Sequence, residues 1–92
     1  MGKLSEAEVA SKLGSVAQWK RAGEEISRTF QFKDFAGAMK FVNAIAAEAE
    51  KANHHPDIDI RWNKVKLALS THSEGGLTEK DFALAQVCDK LA

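Results

Sequence analysis

Three histidines are the residues of this chain most able to do chemistry. Two are adjacent, in "NHHPD" at residues 53–57, and the third is His72. Imidazole is the side chain whose ordinary titration spans neutrality, so neighbouring imidazoles can give and take protons in one step. Pro56, the only proline, stiffens the backbone behind the pair and drives His55 out of the α region. Glu50 and His54 are spaced i, i+4 near the end of a helical stretch, which places them on one face. A carboxylate there orients an imidazole and favours its cationic form, as does the helix C-terminal dipole. A metal held by three imidazoles is the rival chemistry. Against it, no cysteine accompanies the histidines, and adjacent side chains diverge unless the backbone turns. On local grounds Asp81 reads as a helix cap, Glu50 as a solvated helix residue, and Trp19 and Trp62 as core. Cys88 shares a helix face with Phe82, Ala85 and Leu91 and reads as buried and inert.

The elements that must position these groups follow from periodicity. "LSEAEVASKLG" predicts a short helix, capped by Ser5 with Glu8 completing an S-x-x-E box, Leu4 stapling to Val9, and Gly14 as the stop. "SVAQWKR" predicts a weak strand. "EEISRTFQF" predicts a better one, with Ile26, Phe30 and Phe32 on its buried side. Gly23 falls in the turn between the two. Asp34 caps a helix of roughly five turns, on which Phe35, Met39, Val42, Ala46 and Ala49 recur at helical spacing. It ends near Asn53. "DIDIRW" and "VKLALS" alternate, with Ile58, Ile60, Trp62, Val65, Leu67 and Leu69 inward. Asn63-Lys64 is the expected two-residue turn. "EGG" is a loop, and Thr78 caps the last helix, which runs to about Leu91. The order α-β-β-α-β-β-α, with two hairpins, implies an α+β fold. It is a two-layer structure, with a four-stranded antiparallel sheet and three helices on one face.

A turn at Asn63-Lys64 sets Trp62 opposite Val65, Ile60 opposite Leu67 and Ile58 opposite Leu69. Continued, that register brings His55 opposite His72, where facing Cβ atoms lie about 4.5–5.5 Å apart. The third histidine therefore falls at the same end of the hairpin as the first two.

Composition narrows the function. Residues 1–92 make a single domain with a modest core, which a partner subunit would help. Thirteen basic and 13 acidic side chains give a net charge of zero, which argues against direct nucleic-acid binding through phosphates. No stretch is apolar enough to cross a membrane and the N-terminus lacks a signal-peptide core. The single cysteine can make no internal disulfide, so a cytoplasmic location is expected.

The segment "EKANHHPDIDIRWNKVKLALSTHSEGGLTEKD" resembles the signature of the pterin-4a-carbinolamine dehydratases. The pattern runs from Glu50 to His54, His55 and Pro56, then through Trp62 and His72 to Asp81. "FQFKDFAGAMKFVNAIAAEAEKA" resembles the strand and helix before it. The resemblance covers about residues 19 to 90. Where some relatives carry Asp before the histidine pair, this chain has Asn53, which the resemblance places beside the pterin. The resemblance implies dehydration of 4a-hydroxytetrahydrobiopterin to quinonoid dihydrobiopterin, in tetrahydrobiopterin recycling, with no cofactor and no metal. It implies His54, His55 and His72 as the catalytic set, with His54 and His72 moving protons and His55 mainly binding. Glu50 and Asp81 are implied as supporting carboxylates. Asn53, Ser70, Thr71 and Ser73 are implied to bind the pterin beside the histidines. A homodimer or homotetramer is implied as well. The alternatives are a non-catalytic interaction module, of the kind that stabilises a transcription-factor dimer, and a pterin-binding protein of molybdopterin metabolism.

Overall fold

A computed structural model describes residues 2–92. Helix α1 spans Glu6–Leu13, strand β1 Lys20–Ala22, β2 Glu25–Gln31, helix α2 Phe35–Ala52, β3 Asp57–Arg61, β4 Lys64–Leu69 and helix α3 Glu79–Leu91. The strands form one antiparallel sheet in the order β1-β2-β4-β3. The three helices cover the face bearing Ile26, Phe30, Val65, Leu67 and Leu69. The expected α+β order and two-layer architecture are therefore observed.

The helix caps stand where residue type places them. Ser5 Oγ accepts from Glu8 N–H while the Glu8 carboxylate accepts from Ser5 N–H. Asp34 caps α2 by accepting from Gly37 N–H at 2.8 Å. Thr78 and Asp81 form the second capping box, at the start of α3. Such caps are worth about 1 kcal/mol each.

Four expectations are corrected. The stretch 15–21 is mostly not strand: Gly14–Val16 is a 3₁₀ turn in which Gly14 is right-handed, and only Lys20–Ala22 pairs with β2. Val16 and Trp19 are both buried and lie three apart. A turn puts them on one side, where a strand would split them. Helix α2 buries Ala38, Phe41, Ile45 and Ala49 and leaves Phe35 exposed. The buried stripe is thus rotated by about one residue, or about 100°. The helix is apolar on more than one side, and packing selected the side.

The third correction is the β3–β4 turn, which is Trp62-Asn63. Arg61 pairs with Lys64, Ile60 with Val65 and Ile58 with Leu67. Asn63 is buried; its side-chain amide donates to Phe32 O at 2.9 Å and its own carbonyl accepts from Phe32 N–H. Those bonds anchor the turn one residue early and hold Trp62 at φ 50, a left-handed conformation that bulky residues avoid. A slip of two residues keeps every side chain on its expected face, because the strand period is two.

Fourth, Ile58, Ile60 and Trp62 are exposed rather than buried. The two isoleucines share the helix-covered face of the sheet with their partners Val65 and Leu67. But β3 is the outer strand, and the helices do not reach over it.

A polar tie closes the opposite flank. Asp89 on α3 accepts from Arg28 Nη1 at 2.7 Å and from Trp19 Nε1 at 2.9 Å. Cys88, next to it, is fully buried, and burial pushes its thiol up to about 12. The folded protein keeps that proton at pH values where the unfolded chain, near 8.5, has lost it. The contribution to stability is full below about pH 8.5 and declines as pH rises through that interval toward 12. A thiol-exchange reagent at pH 8 is expected to leave Cys88 unreacted in the native protein and to titrate one thiol in denaturant.

Candidate active site

Residues 53–56 show why adjacent histidines can serve different ends. Helix α2 stops at Ala52, and Asn53 takes the left-handed conformation at φ 49, ψ 44, which asparagine tolerates better than most residues. The His54 N–H returns to Ala49 O at 3.1 Å. The chain turns there, and Pro56 holds the following backbone extended. The two imidazoles diverge. His54 points inward and is 9 % exposed, whereas the His55 side chain is 56 % exposed.

His54 meets Asp81, with Nε2 and Oδ1 at 2.6 Å. Asp81 is wholly buried, yet every polar atom of it has a partner. Its Oδ2 accepts from Thr71 Oγ1 at 2.8 Å and from Thr78 N–H at 2.9 Å. Thr78 Oγ1 lies 2.8 Å from Thr71 Oγ1. A carboxylate taking these hydroxyl and amide donors on one oxygen takes N–H from the imidazole on the other. That fixes the His54 tautomer and leaves Nδ1 for chemistry. Buried polar groups carry a large penalty unless satisfied, and this cluster is satisfied throughout.

His55 meets Glu50, with Nε2 and Oε2 at 2.5 Å. The expectation that Glu50 would face His54 is thus corrected. It rested on helical i, i+4 geometry, and the left-handed Asn53 ends the helix before His54. The carboxylate of His54 is instead Asp81, which both caps α3 and holds the ring.

His72 opens a 3₁₀ turn, His72–Glu74, closed by Gly75 at φ 74. Thr71 and Gly76 pair across the loop base, with Thr71 N–H donating to Gly76 O at 3.0 Å and Gly76 N–H to Thr71 O at 3.3 Å. His72 is exposed and, among the described residues, its ring has no hydrogen bond or ion pair. The observed register sets His55 level with Ser70 rather than His72. The three imidazoles nevertheless meet at one open cleft of about 320 Å³, lined by Asn53, His54, His55, Ser70, Thr71, His72, Ser73 and Lys80. Among the described residues no three His, Cys, Asp or Glu side chains are grouped to hold a metal ion.

All seven residues expected to bind the substrate line this cleft. Glu50 and Asp81 stand behind it, each against one histidine. Two features of the cleft were not read from the sequence. Lys80 lines the cleft from the first turn of α3, where a lysine looks like any solvated helix residue. Thr71 has its hydroxyl and amide engaged within the fold, so its part is to hold Asp81. Only tertiary contact shows this.

A two-layer α+β domain with an imidazole-lined cleft at the open end of its β3–β4 hairpin is the class these features define. The chain belongs to the pterin 4 alpha carbinolamine dehydratase family, whose model matches residues 2–91. It is 54 % identical over 91 residues to a protein of Chloroflexus aurantiacus provisionally named a pterin-4-alpha-carbinolamine dehydratase, covering 99 % of this chain and 98 % of that one. A protein of Roseiflexus with the same provisional name is 53 % identical over 89 residues, covering 97 % and 96 %. Among solved structures, a transcriptional coactivator/pterin dehydratase from Brucella melitensis superposes with a TM-score of 0.95 at 38 % identity, covering 98 % of both chains. A pterin dehydratase-like protein identified as a RuBisCO assembly factor in the alpha-carboxysome superposes with a TM-score of 0.67 at 27 % identity, covering 80 % of this chain and 86 % of that one.

The two carboxylates predict opposite stability effects. Asp81→Ala orphans three buried donors and is expected to cost at least about 3 kcal/mol, at about 1–3 kcal/mol for each lost buried partner. Glu50→Ala removes an exposed pair and is expected to leave stability almost unchanged. Urea unfolding midpoints measure both.

Proposed function

We propose that this protein dehydrates a 4a-hydroxytetrahydropterin, and that the cleft of His54, His55 and His72 is where it does so. The observation that carries the reading is the convergence of three imidazoles on one cleft, two of them individually held by carboxylates. In the reaction the C4a–O bond breaks and the oxygen leaves as water, taking a proton from an imidazolium. The N5–H proton passes to a neutral imidazole, and its bond electrons form the C4a–N5 double bond. Atoms and charge balance with no change of oxidation state, so the step asks for proton transfers alone and calls for no cofactor.

His54 and His72 are the two proton carriers in this reading. His54 has its tautomer set by Asp81, and His72 has an unengaged ring on a short turn at the cleft's other wall. His55, tied to Glu50 at the surface, binds the pterin. Asn53 and Ser73 supply hydrogen bonds to the ring edge, and Ser70, whose hydroxyl proton goes to Glu24 O, offers its oxygen as an acceptor. The reading further places the reaction in tetrahydrobiopterin recycling, in the cytoplasm. No helix among the described residues is long and apolar enough to cross a membrane.

A second copy of the chain is the proposed partner, in a homodimer or a homotetramer built from it. Edge strand β3 exposes Ile58, Ile60 and the adjoining Trp62, the last at 67 %, and its backbone edge is unpaired. Such edges invite strand addition. Two copies of "DIDIR" paired antiparallel about Asp59 bring Asp57 opposite Arg61 and Ile58 opposite Ile60. The same apolar row favours a second reading, an interaction module, in keeping with the coactivator and assembly-factor relatives.

The substrate, generated in place by a hydroxylase, is expected to be dehydrated faster with the protein than without it, as followed by the absorbance of the quinonoid product. His54→Ala and His72→Ala are each expected to lower kcat by about 10²–10⁴. Absence of acceleration by the folded wild-type protein would remove the enzyme reading and favour the interaction module. Light scattering is expected to give a dimer or tetramer mass, and Ile60→Lys a monomer; a monomeric wild type overturns the edge-strand assembly.

A further inference from the structure

Two of the three imidazoles have a carboxylate oxygen within 2.6 Å of a ring nitrogen. His72 has none, yet the sheet brings one near. In the β2–β4 register Ile26 faces Leu69, so one step further Glu25 faces Ser70. Ser70 Oγ donates to Glu24 O at 2.7 Å, which fastens the β1–β2 turn to the start of the His72 loop. His72 follows Ser70 by two residues, at the start of the 3₁₀ turn. Glu25 and His72 also line one open depression of about 340 Å³, with Ser70 and Glu24. His72 lines both this depression and the three-histidine cleft and so stands between them.

The other charged groups around His72 are accounted for. Glu24 is paired with Lys3 at 2.7 Å. Glu74, on the same turn as His72, accepts from Gly2 N–H at 3.0 Å. His54, His55 and Lys80 face it from the cleft side. Lys20, opposite Ser27 on β1, is the one cation diagonal to Glu25. The Glu25 side chain has no hydrogen bond or ion pair among the described residues, and the residue is half-buried.

We propose that Glu25 is the positioning carboxylate of His72, completing the third imidazole–carboxylate pair of the site. Its catalytic consequence rests on the dehydratase reading above; the pairing itself does not. The ring is unpaired in this structure, so the proposed contact forms by side-chain rotation: Glu25 then takes one ring nitrogen from the outer depression and the other is presented to the cleft. That is the arrangement Asp81 imposes on His54. Extended by one and two residues beyond the paired strands, the two registers set Glu25, Ser70 and His55 level at one end of the sheet, which brings the β1–β2 hairpin up to the site although "GEE" carries no motif.

The test combines kinetics with the ring resonances of the histidines. Glu25→Ala is expected to lower kcat about tenfold with KM within about twofold, the lower end of what loss of an orienting partner does. Glu25→Gln, which keeps the acceptor oxygen, is expected to restore part of that loss. In ¹H–¹⁵N spectra Glu25→Ala is expected to move the ring signals of His72 and leave those of His54 in place. Unmoved His72 signals overturn the pairing whatever the kinetics show, as does a kcat loss accompanied by equal shifts at all three rings. A wild-type protein without dehydratase activity fails the reading of the reaction, while the ring signals still decide the pairing.

Discussion

The Asp81 carboxylate is the constraint on which the rest of the site depends. It joins three parts of the chain: the start of α3 through Thr78, the loop after β4 through Thr71, and the turn after α2, 27 positions away, through His54. A carboxylate in the core is tolerated only when each of its oxygens is satisfied. Meeting that condition requires the loop at 70–78, the helix α3 and the left-handed turn at Asn53 to be in place together. The same bonds that make the burial tolerable fix the tautomer of His54. Stability and, in the proposed reaction, reactivity are therefore served by one group.

The site grades from rigid to free across a few residues. His54 is buried and held by a wholly enclosed partner. His55 is held by Glu50 at the surface, where screening by water makes the pair weak. His72 stands on a three-residue turn with an unengaged ring. A two-proton reaction on a small ligand suits such a gradient. One imidazole must keep its orientation without substrate, and another must be able to adjust to it. The hairpin that delivers His55 and His72 to the same cleft also ends in the uncovered strand β3. Site and proposed assembly edge thus share one element, and a partner laid along β3 would stiffen the wall carrying His55.

Reading the chain from its residues recovered the helices, the caps and the alternation of the strands, because each depends on neighbours within a few positions. Errors came where a longer-range contact decided between local solutions. The stripe of α2 that is buried, Ala38-Phe41-Ile45-Ala49 rather than Phe35-Met39-Val42, was chosen by the sheet and α3. The hairpin turned at Trp62 because Asn63 bonds to Phe32 across the sheet. Asp81 looked like a helix cap, and it is one. Its second oxygen belongs to His54, which no local pattern records.

By itself, then, the sequence determined which groups were available: three imidazoles, two carboxylates able to serve them, a proline and an asparagine to break the helix between them, and a hairpin of even register to return the chain. These follow from side-chain chemistry and from periods of 3.6 and 2, which are local properties. Only the tertiary structure decided the pairing, with Asp81 on His54 and Glu50 on His55. Pairing is settled by distance between residues up to 27 positions apart, and by which carboxylate could be enclosed with all its hydrogen bonds made. No spacing along the chain encodes that condition.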